Sequence, residues 1–360
     1  MKLNKLSGWV GRGLRLLSDW VVGLGKRKPH FTRPFSNEVS IVITYHNEGK
    51  EFLLQTIDSL ETTIDIPDYE IIVVDDCSKE KITIDGVRVI RNLRNVGVGA
   101  SFDIGISSAK YDNIFFMACD IRFDANGWAS KMLGEIHKHP TSLICTAVIP
   151  LQAEMPEIDF QTAKKWMKID SHKGAEIVWF IGDDDHVHQV IEARWYPREF
   201  LPLRAPDYVT PTECYEVECI LGAFYGVRKE WYQHIDGFWG HKFWGKLEPL
   251  ISLKSWMFGG SCLVAPHIET AHIFKNAGNH DEHDKYVLFK THNALLLIQL
   301  LLPDSFIKKL IQWLPDRSYV VEALGLMPDL ADKRREYKRK TVFTFEEFLK
   351  KFNKHENSKF

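Results

Sequence analysis

The chain has 360 residues, 45% hydrophobic and 26% charged, with a formal net charge of −2. This is the make-up of a soluble globular protein and excludes a disordered or fibrous chain. No apolar run reaches the ~18–20 residues of a membrane span, the longest being Ala294–Leu302.

Charge is unevenly spread. Residues 1–28 carry seven basic side chains and one acid, residues 333–360 ten and four, which leaves about −14 on the body between them. Basic ends suit contact with a polyanion. The acidic body argues against a broad nucleic-acid surface and suits a site that collects divalent cations. Six cysteines without a CxxC pair, in a chain without a secretory-signal pattern, predict free thiols in a reducing compartment.

In chain order, Leu3–Leu24 reads as an amphipathic helix. Trp9 and Trp20 fall on its apolar arc, Lys5, Arg12 and Arg15 opposite, and Lys26-Arg27-Lys28 follow. That is the pattern of an in-plane membrane anchor, although a helix docked on the protein itself has the same pattern. It predicts a cytoplasmic protein, peripheral on the inner membrane face, with an anionic membrane surface as partner. Lys28–Ser36 reads as a linker, so residues 1–36 form the first unit. Val39–Thr44 is a β-branched run and hence a strand buried on both faces. A helix at Phe52–Leu60, strands at Tyr69–Val74 and Val87–Ile90, a helix at Gly99–Ala109, a strand at Asn113–Met117, a helix at Gly127–His137 and a strand at Leu143–Val148 follow. This alternation predicts an α/β, doubly wound, mostly parallel sheet flanked by helices. Ligands of such sheets bind beyond the carboxyl ends of the strands. The polar clusters His46-Asn47-Glu48, Asp75-Asp76 and Asp120 stand at those ends.

From Pro150 to Tyr215 the pattern is irregular, with a hairpin expected from Ala175–Ile181 and Val187–Ala193. A helix at Glu248–Phe258, a strand at Ser261–Pro266, helices at Lys285–Leu302 and Asp304–Leu314, and a basic, aromatic tail from Lys333 complete the chain. The α/β domain is expected over residues 37–285, with a helical and basic extension over 286–360.

Val39-Ser-Ile-Val-Ile-Thr-Tyr-His-Asn-Glu48, Glu70-Ile-Ile-Val-Val-Asp-Asp-Cys-Ser78 and Phe115-Phe-Met-Ala-Cys-Asp120 together resemble the nucleotide-sugar half of glycosyltransferase family 2. They also resemble the polypeptide N-acetylgalactosaminyltransferases, which share the GT-A-type fold. The resemblance covers about residues 38–300. It implies transfer of a sugar from a nucleoside diphosphate, a UDP-sugar in the first instance, to a hydroxyl acceptor on a glycan, a lipid-linked carrier or a protein, with Mn²⁺ or Mg²⁺ assisting.

The residue chemistry fits. Asp75 and Asp76 end a buried strand, where a carboxylate accepts from a base N–H or a ribose hydroxyl; a turn or helix cap is the structural alternative. Thr44, His46 and Glu48 begin the loop that the resemblance places on the nucleotide. Asp120 is the last acid of the family's metal motif, whose first acid is here Ala118. His272, in His267-Ile-Glu-Thr-Ala-His-Ile-Phe-Lys275, is the implied second metal ligand, and Lys275 offsets diphosphate charge. Gly222 and Ala223, in Cys219–Arg228, let backbone approach the sugar.

Trp244-Gly-Lys-Leu-Glu248 resembles the segment that reads Trp-Gly-Gly-Glu in the N-acetylgalactosaminyltransferases. The acid of that segment falls on Leu247. In family 2 an acidic pair stands here, and its second position, a general base, is Glu248; a first-turn glutamate favoured by the helix dipole is the plainer reading. Base catalysis implies inversion and the N-acetylgalactosaminyltransferase likeness implies retention, so stereochemistry stays open. Asp183-Asp184-Asp185-His186-Val187-His188 is a rival metal cluster, but a solvated hairpin turn is the usual fate of such a run. Asn276–Asp284 has the polar, glycine-bearing make-up of a lid. Two other functions are compatible with the sheet. Nucleotidyl transfer wants a glycine-rich cationic loop after the first strand, where His46-Asn47-Glu48-Gly49 stands instead. A degenerate, membrane-associated sugar-binding module draws support from Ala118.

Overall fold

The computed structural model describes residues 31, 34–152, 162, 171–183, 186–196, 213–274, 283–307 and 317–352. The amphipathic segment Leu3–Leu24, Lys275 and most of Asn276–Asp284 lie outside these residues.

The first half follows the expected alternation: β1 (Val39–Tyr45), α1 (Lys50–Thr63), β2 (Tyr69–Asp75), β3 (Arg88–Arg91), α2 (Val98–Ser108), β4 (Asn113–Met117), β5 (Ile121–Arg122), α3 (Trp128–Lys138) and β6 (Ser142–Gln152). Then come β7 (His172–Lys173), β8 (Ala175–Asp183), β9 (His186–Trp195), β10 (Tyr215–Glu216), β11 (Phe224–Arg228), α4 (Lys229–His234), α5 (Leu247–Met257) and β12 (Ser261–Phe274). The described chain closes with α6 (His283–Leu301), α7 (Arg317–Gly325), α8 (Ala331–Lys340) and α9 (Phe345–Lys351).

The main sheet runs β10-β12-β6-β11-β4-β1-β2-β3. β3, β2, β1 and β4 are parallel, as are β6 and β12, while β11 runs antiparallel between β4 and β6. Uniformly apolar strands are buried on both faces, and the pleat splits them. Val42, Ile72, Val74, Ile114 and Phe116 face one core. Ile41, Ile43, Ile71, Val73, Phe115 and Met117 face the other. The buried stripe Leu53, Thr56, Ile57 and Leu60 lays α1 on the second core. α2 lies on the first, so close that a Cβ on Gly105 would meet the Val42 side chain at 2.4 Å.

One element departs from the expected pattern. β12 does not stop at Pro266: a bulge between Ala265 and Glu269 absorbs the proline, and pairing with β6 resumes to Phe274. This extension carries His272. The basic, aromatic tail is helical and packs on the body of the fold. Tyr337, Phe345, Phe348 and Leu349 are buried in the first core, Thr344 caps α9 in a reciprocal capping box, and Lys333 pairs with Asp236 at 2.9 Å. β8 and β9 form the expected hairpin, a separate two-stranded sheet. None of the described cysteines is in a disulfide. No helix among the described residues is long and apolar enough to cross a membrane.

Candidate active site

Beyond the end of β4 the segment Ala118-Cys119-Asp120 is fixed from three sides. The Ala118 amide donates to the Ala223 carbonyl (3.0 Å), the Thr56 hydroxyl of α1 donates to the Cys119 carbonyl (2.7 Å), and the Ile273 amide of β12 donates to the Asp120 carbonyl (3.0 Å). The β12 extension thereby sets His272 beside Asp120, with Nε2 3.3 Å from the carboxylate Oδ1. Phe274 packs on the His272 ring at 4.4 Å. A carboxylate and an imidazole are a fitting donor pair for Mn²⁺, and Mg²⁺ would rely more on the carboxylate. Among the described residues no group of three or more His, Cys, Asp or Glu is arranged to hold an ion unaided. Such a pair suits an ion whose remaining positions are filled by diphosphate oxygens and water. His267, the first histidine of the same run, points elsewhere, 3.7 Å from Glu135.

Asp120 and His272 open into a cleft of about 500 Å³ whose lining includes Thr44, Glu48, Gly222, Ala223, Trp244 and Glu248. The sequence separates these residues by more than two hundred positions, from Thr44 to His272, and the strand ends collect them. Gly222 (φ 129°) and Ala223 (φ 64°) both have positive φ. A Cβ on Gly222 would meet the Val148 side chain at 2.3 Å, so glycine is required here by packing as well as by any ligand. The Ala223 amide donates to the Tyr225 hydroxyl (3.1 Å), which donates to Glu248 Oε1 (3.2 Å). Glu248 stands in the first turn of α5. Burial raises its carboxyl above the ordinary range, and Glu192 adds to this. Its backbone and Tyr225 hydrogen bonds and the nearby His272 oppose the shift. A carboxylate held this way is a stronger base than a solvated one.

Two cleft residues, Glu192 and Lys246, were not evident in the sequence. Glu192 of β9 receives Lys246 in a short ion pair and Lys290 of α6 at 3.1 Å. Burial pulls the Lys246 ammonium down to about 8, against the pull of Glu192. Lys290 also lies over the Trp244 and Tyr286 rings, which stack on each other at 5.2 Å. The hairpin pattern was legible, but nothing local says that Glu192 turns into the cleft.

His46, Asp75 and Asp76 stand outside the cleft lining. Asp75 accepts from the Ser78 amide (2.9 Å) and pairs with Arg91. Asp76 accepts from the Val96 and Gly97 amides and from the Asn92 side chain, each at 2.8 Å. His46 Nδ1 lies 2.7 Å from the Asp76 carbonyl, and its Nε2 lies 3.0 Å from the Asn95 amide nitrogen. These bonds tie together the loops that follow β1, β2 and β3. Of the rival cluster, Asp184 and Asp185 lie outside the described residues, between the ends of β8 and β9.

Residues 40–184 match glycosyl transferase family 2. Human polypeptide N-acetylgalactosaminyltransferase 14 is 27% identical over 246 residues, 66% of this chain and 40% of that protein. Mouse polypeptide N-acetylgalactosaminyltransferase 4 is 25% identical over 247 residues, 65% of this chain and 39% of that protein. The chain thus spans about two fifths of the length of these relatives. Among solved structures, GalNAc-T7 with UDP, GalNAc and Mn²⁺ superposes with a TM-score of 0.68 at 19% identity, covering 93% of this chain and 62% of that one. Residues 40–184 thus resemble glycosyl transferase family 2, and the chain shares the GT-A-type fold of GalNAc-T7 and is similar to the polypeptide N-acetylgalactosaminyltransferases.

Proposed function

We propose that the protein transfers a sugar from a nucleoside diphosphate sugar, a UDP-sugar, to a hydroxyl acceptor on a glycan, a lipid-linked carrier or a protein. The observation that carries this reading is the Asp120–His272 pair, 3.3 Å apart, sharing one cleft with Glu248 and the Gly222–Ala223 turn. The names of the curated relatives point to N-acetylgalactosamine as the first donor to try.

Asp120 and His272 would hold Mn²⁺ or Mg²⁺, which when bound offsets charge on the departing diphosphate. Gly222 and Ala223 present backbone to the sugar, and Trp244 gives it an aromatic wall. Thr44 and Glu48 line the nucleotide end. Asp75, Asp76 and His46 shape that end from behind, and Lys275 is a further candidate for the diphosphate. Glu248 takes the acceptor proton if the anomeric centre inverts, with Tyr225 holding the carboxylate in line. Leu247, where the N-acetylgalactosaminyltransferases carry an acid, is apolar and buried. Any polar contact to the sugar on this side therefore falls to Glu248, Glu192 or Lys246. Residues 1–28 are proposed to bring this domain to an anionic membrane face.

Donor hydrolysis across a panel of nucleotide sugars, with and without Mn²⁺, tests the reading. Metal-dependent hydrolysis of a UDP-sugar is expected, and Asp120→Ala should abolish it with the melting temperature nearly unchanged. Turnover that persists in Asp120→Ala after chelation would remove the metal assignment.

A further inference from the structure

A second basin lies beside the cleft. Its volume is about 650 Å³, within the range of ligand sites, and its walls include Arg94, Lys242, Lys285, Trp239, Phe243 and Phe289. Residues 326–328, after α7, also line it. No Asp or Glu is among the described residues that line it, although the body of the chain is acidic. Lys285 lies 4.6 Å from the centre of the Phe243 ring. Arg94 and Lys242 beside Trp239 and Phe243, with no Asp or Glu among the described lining residues, offer charge-assisted contacts to an anion and flat apolar faces to the rings that bear it.

The basin is joined to the cleft by two segments, residues 94–98 and 239–248. Residues 239–243 line the basin and residues 244–248 line the cleft. The partition is the contact of Gly97 with Phe243, where the Val98 amide donates to the Phe243 carbonyl at 3.0 Å. A chain-like acceptor with its end in the cleft has this basin as its next surface.

We propose that this basin binds an anionic oligosaccharide, the chain of the acceptor, by its phosphate or carboxylate groups. Arg94 and Lys242 supply the charge, and Trp239 and Phe243 the ring contacts. The proposal rests on the reading of the neighbouring cleft as the donor site.

Isothermal titration of the full chain with three probes tests it: an oligouronate, a phosphorylated oligosaccharide and neutral maltohexaose, with UDP and Mn²⁺ titrated separately. At least one anionic probe should bind saturably and more tightly than maltohexaose. Which of the two wins identifies the anion. Arg94→Gln with Lys242→Gln should weaken it by about tenfold or more, as expected for lost charge-assisted contacts, while UDP binding and the melting temperature hold. Added salt should weaken it further in the intact protein than in the variant. Equal affinity for maltohexaose, undiminished affinity in the double variant, or no binding of either anionic probe overturns the proposal. Failure of UDP to bind the intact protein counts against the donor-site reading instead, and the anionic titration still decides the basin.

Discussion

Lys246 is a basic side chain that the fold pays to bury. Its side chain is 3% exposed, and burial pulls the ammonium down to about 8 from the ordinary 10.5. Each tenfold difference in proton affinity is worth roughly 1.4 kcal/mol. At pH 7 the charged side chain therefore costs about 3 kcal/mol of stability. The sign follows from proton binding. Between pH 8 and 10.5 the unfolded chain holds the proton that the folded chain has released, so stability rises with pH across that window. By pH 9.5 the cost has fallen to about half. Lys246→Met keeps most of the volume and removes the charge, and Glu192 retains Lys290 at 3.1 Å. The variant should be more stable than the parent by up to about 3 kcal/mol at pH 7, with the gap closing by about half at pH 9.5. Urea unfolding followed by tryptophan fluorescence at the two pH values measures both. A variant less stable at pH 7, or a gap that ignores pH, would refute the reasoning. Because the cost is borne at the wall of the cleft, donor turnover is expected to fall as stability rises.

Glu248→Gln should lower kcat by at least roughly 10²-fold with little change in donor KM. It should also flatten the acid limb of the rate profile, which in the parent lies above the ordinary carboxylate range because burial raises this carboxyl. A carboxyl raised on folding contributes stability at low pH that is lost as pH rises through its folded value. Glu248→Gln should therefore raise the melting temperature at pH 7 more than at pH 4, and full kcat in the variant would remove Glu248 as base. Gly97→Ala should cost several kcal/mol (~2–4), because the residue has φ 93° and a Cβ there would sit 2.3 Å from the Phe243 amide nitrogen; a melting temperature within about 2 °C of the parent would refute this. Deleting residues 1–28 should reduce co-sedimentation with anionic vesicles without lowering the melting temperature of the domain. Each cation near such a surface is worth about 1 kcal/mol, and equal sedimentation of both forms would show that the segment packs on the protein.

Strand and helix order in the first half was legible because β-branched runs and a 3.6-residue stripe are local signals. The face that each central residue of β1, β2 and β4 presents was not, since the runs Ile41–Ile43, Ile71–Val74 and Ile114–Met117 are apolar throughout and both faces are covered. β12 was half seen: Pro266 reads locally as an end, and only the pairing with β6 carries the strand past it to His272. Asp120, His272 and Glu248 were nameable from motif resemblance, yet their convergence depends on contacts across more than a hundred residues. Glu192 and Tyr225 had no local signal. Tyr225 reads as one more apolar position in a buried strand until its hydroxyl is seen on Glu248. The aromatic tail was legible as composition but not as core, because Phe345 and Phe348 find their partners on α5, β8 and the chain after α6.

The loop from His241 to Lys246 is held from both sides, and this bears on how the donor end is organised. On the sheet side, Asp76 takes the amides of Val96 and Gly97, and Gly97 abuts Phe243 with no room for a side chain. On the helix side, the buried Asn293 of α6 donates to the carbonyls of Lys242 (2.8 Å) and Gly245 (3.0 Å) and accepts from the Lys242 amide (3.0 Å). Asn293 also lies 3.0 Å from Nε2 of His241, whose ring burial holds at about 4, hence neutral at physiological pH. Nε2 also lies 2.8 Å from the Gly245 carbonyl, to which a neutral imidazole can donate, so this network needs no counter-charge in the core. The backbone that carries Trp244 and Lys246 is thereby fixed by main-chain contacts, in addition to the contacts of their side chains. A loop fixed in this way can exchange the residues it presents without losing its path. Lys246 and Leu247, standing where the N-acetylgalactosaminyltransferases have glycine and an acid, can therefore alter what the cleft accepts while the backbone that carries them stays the same.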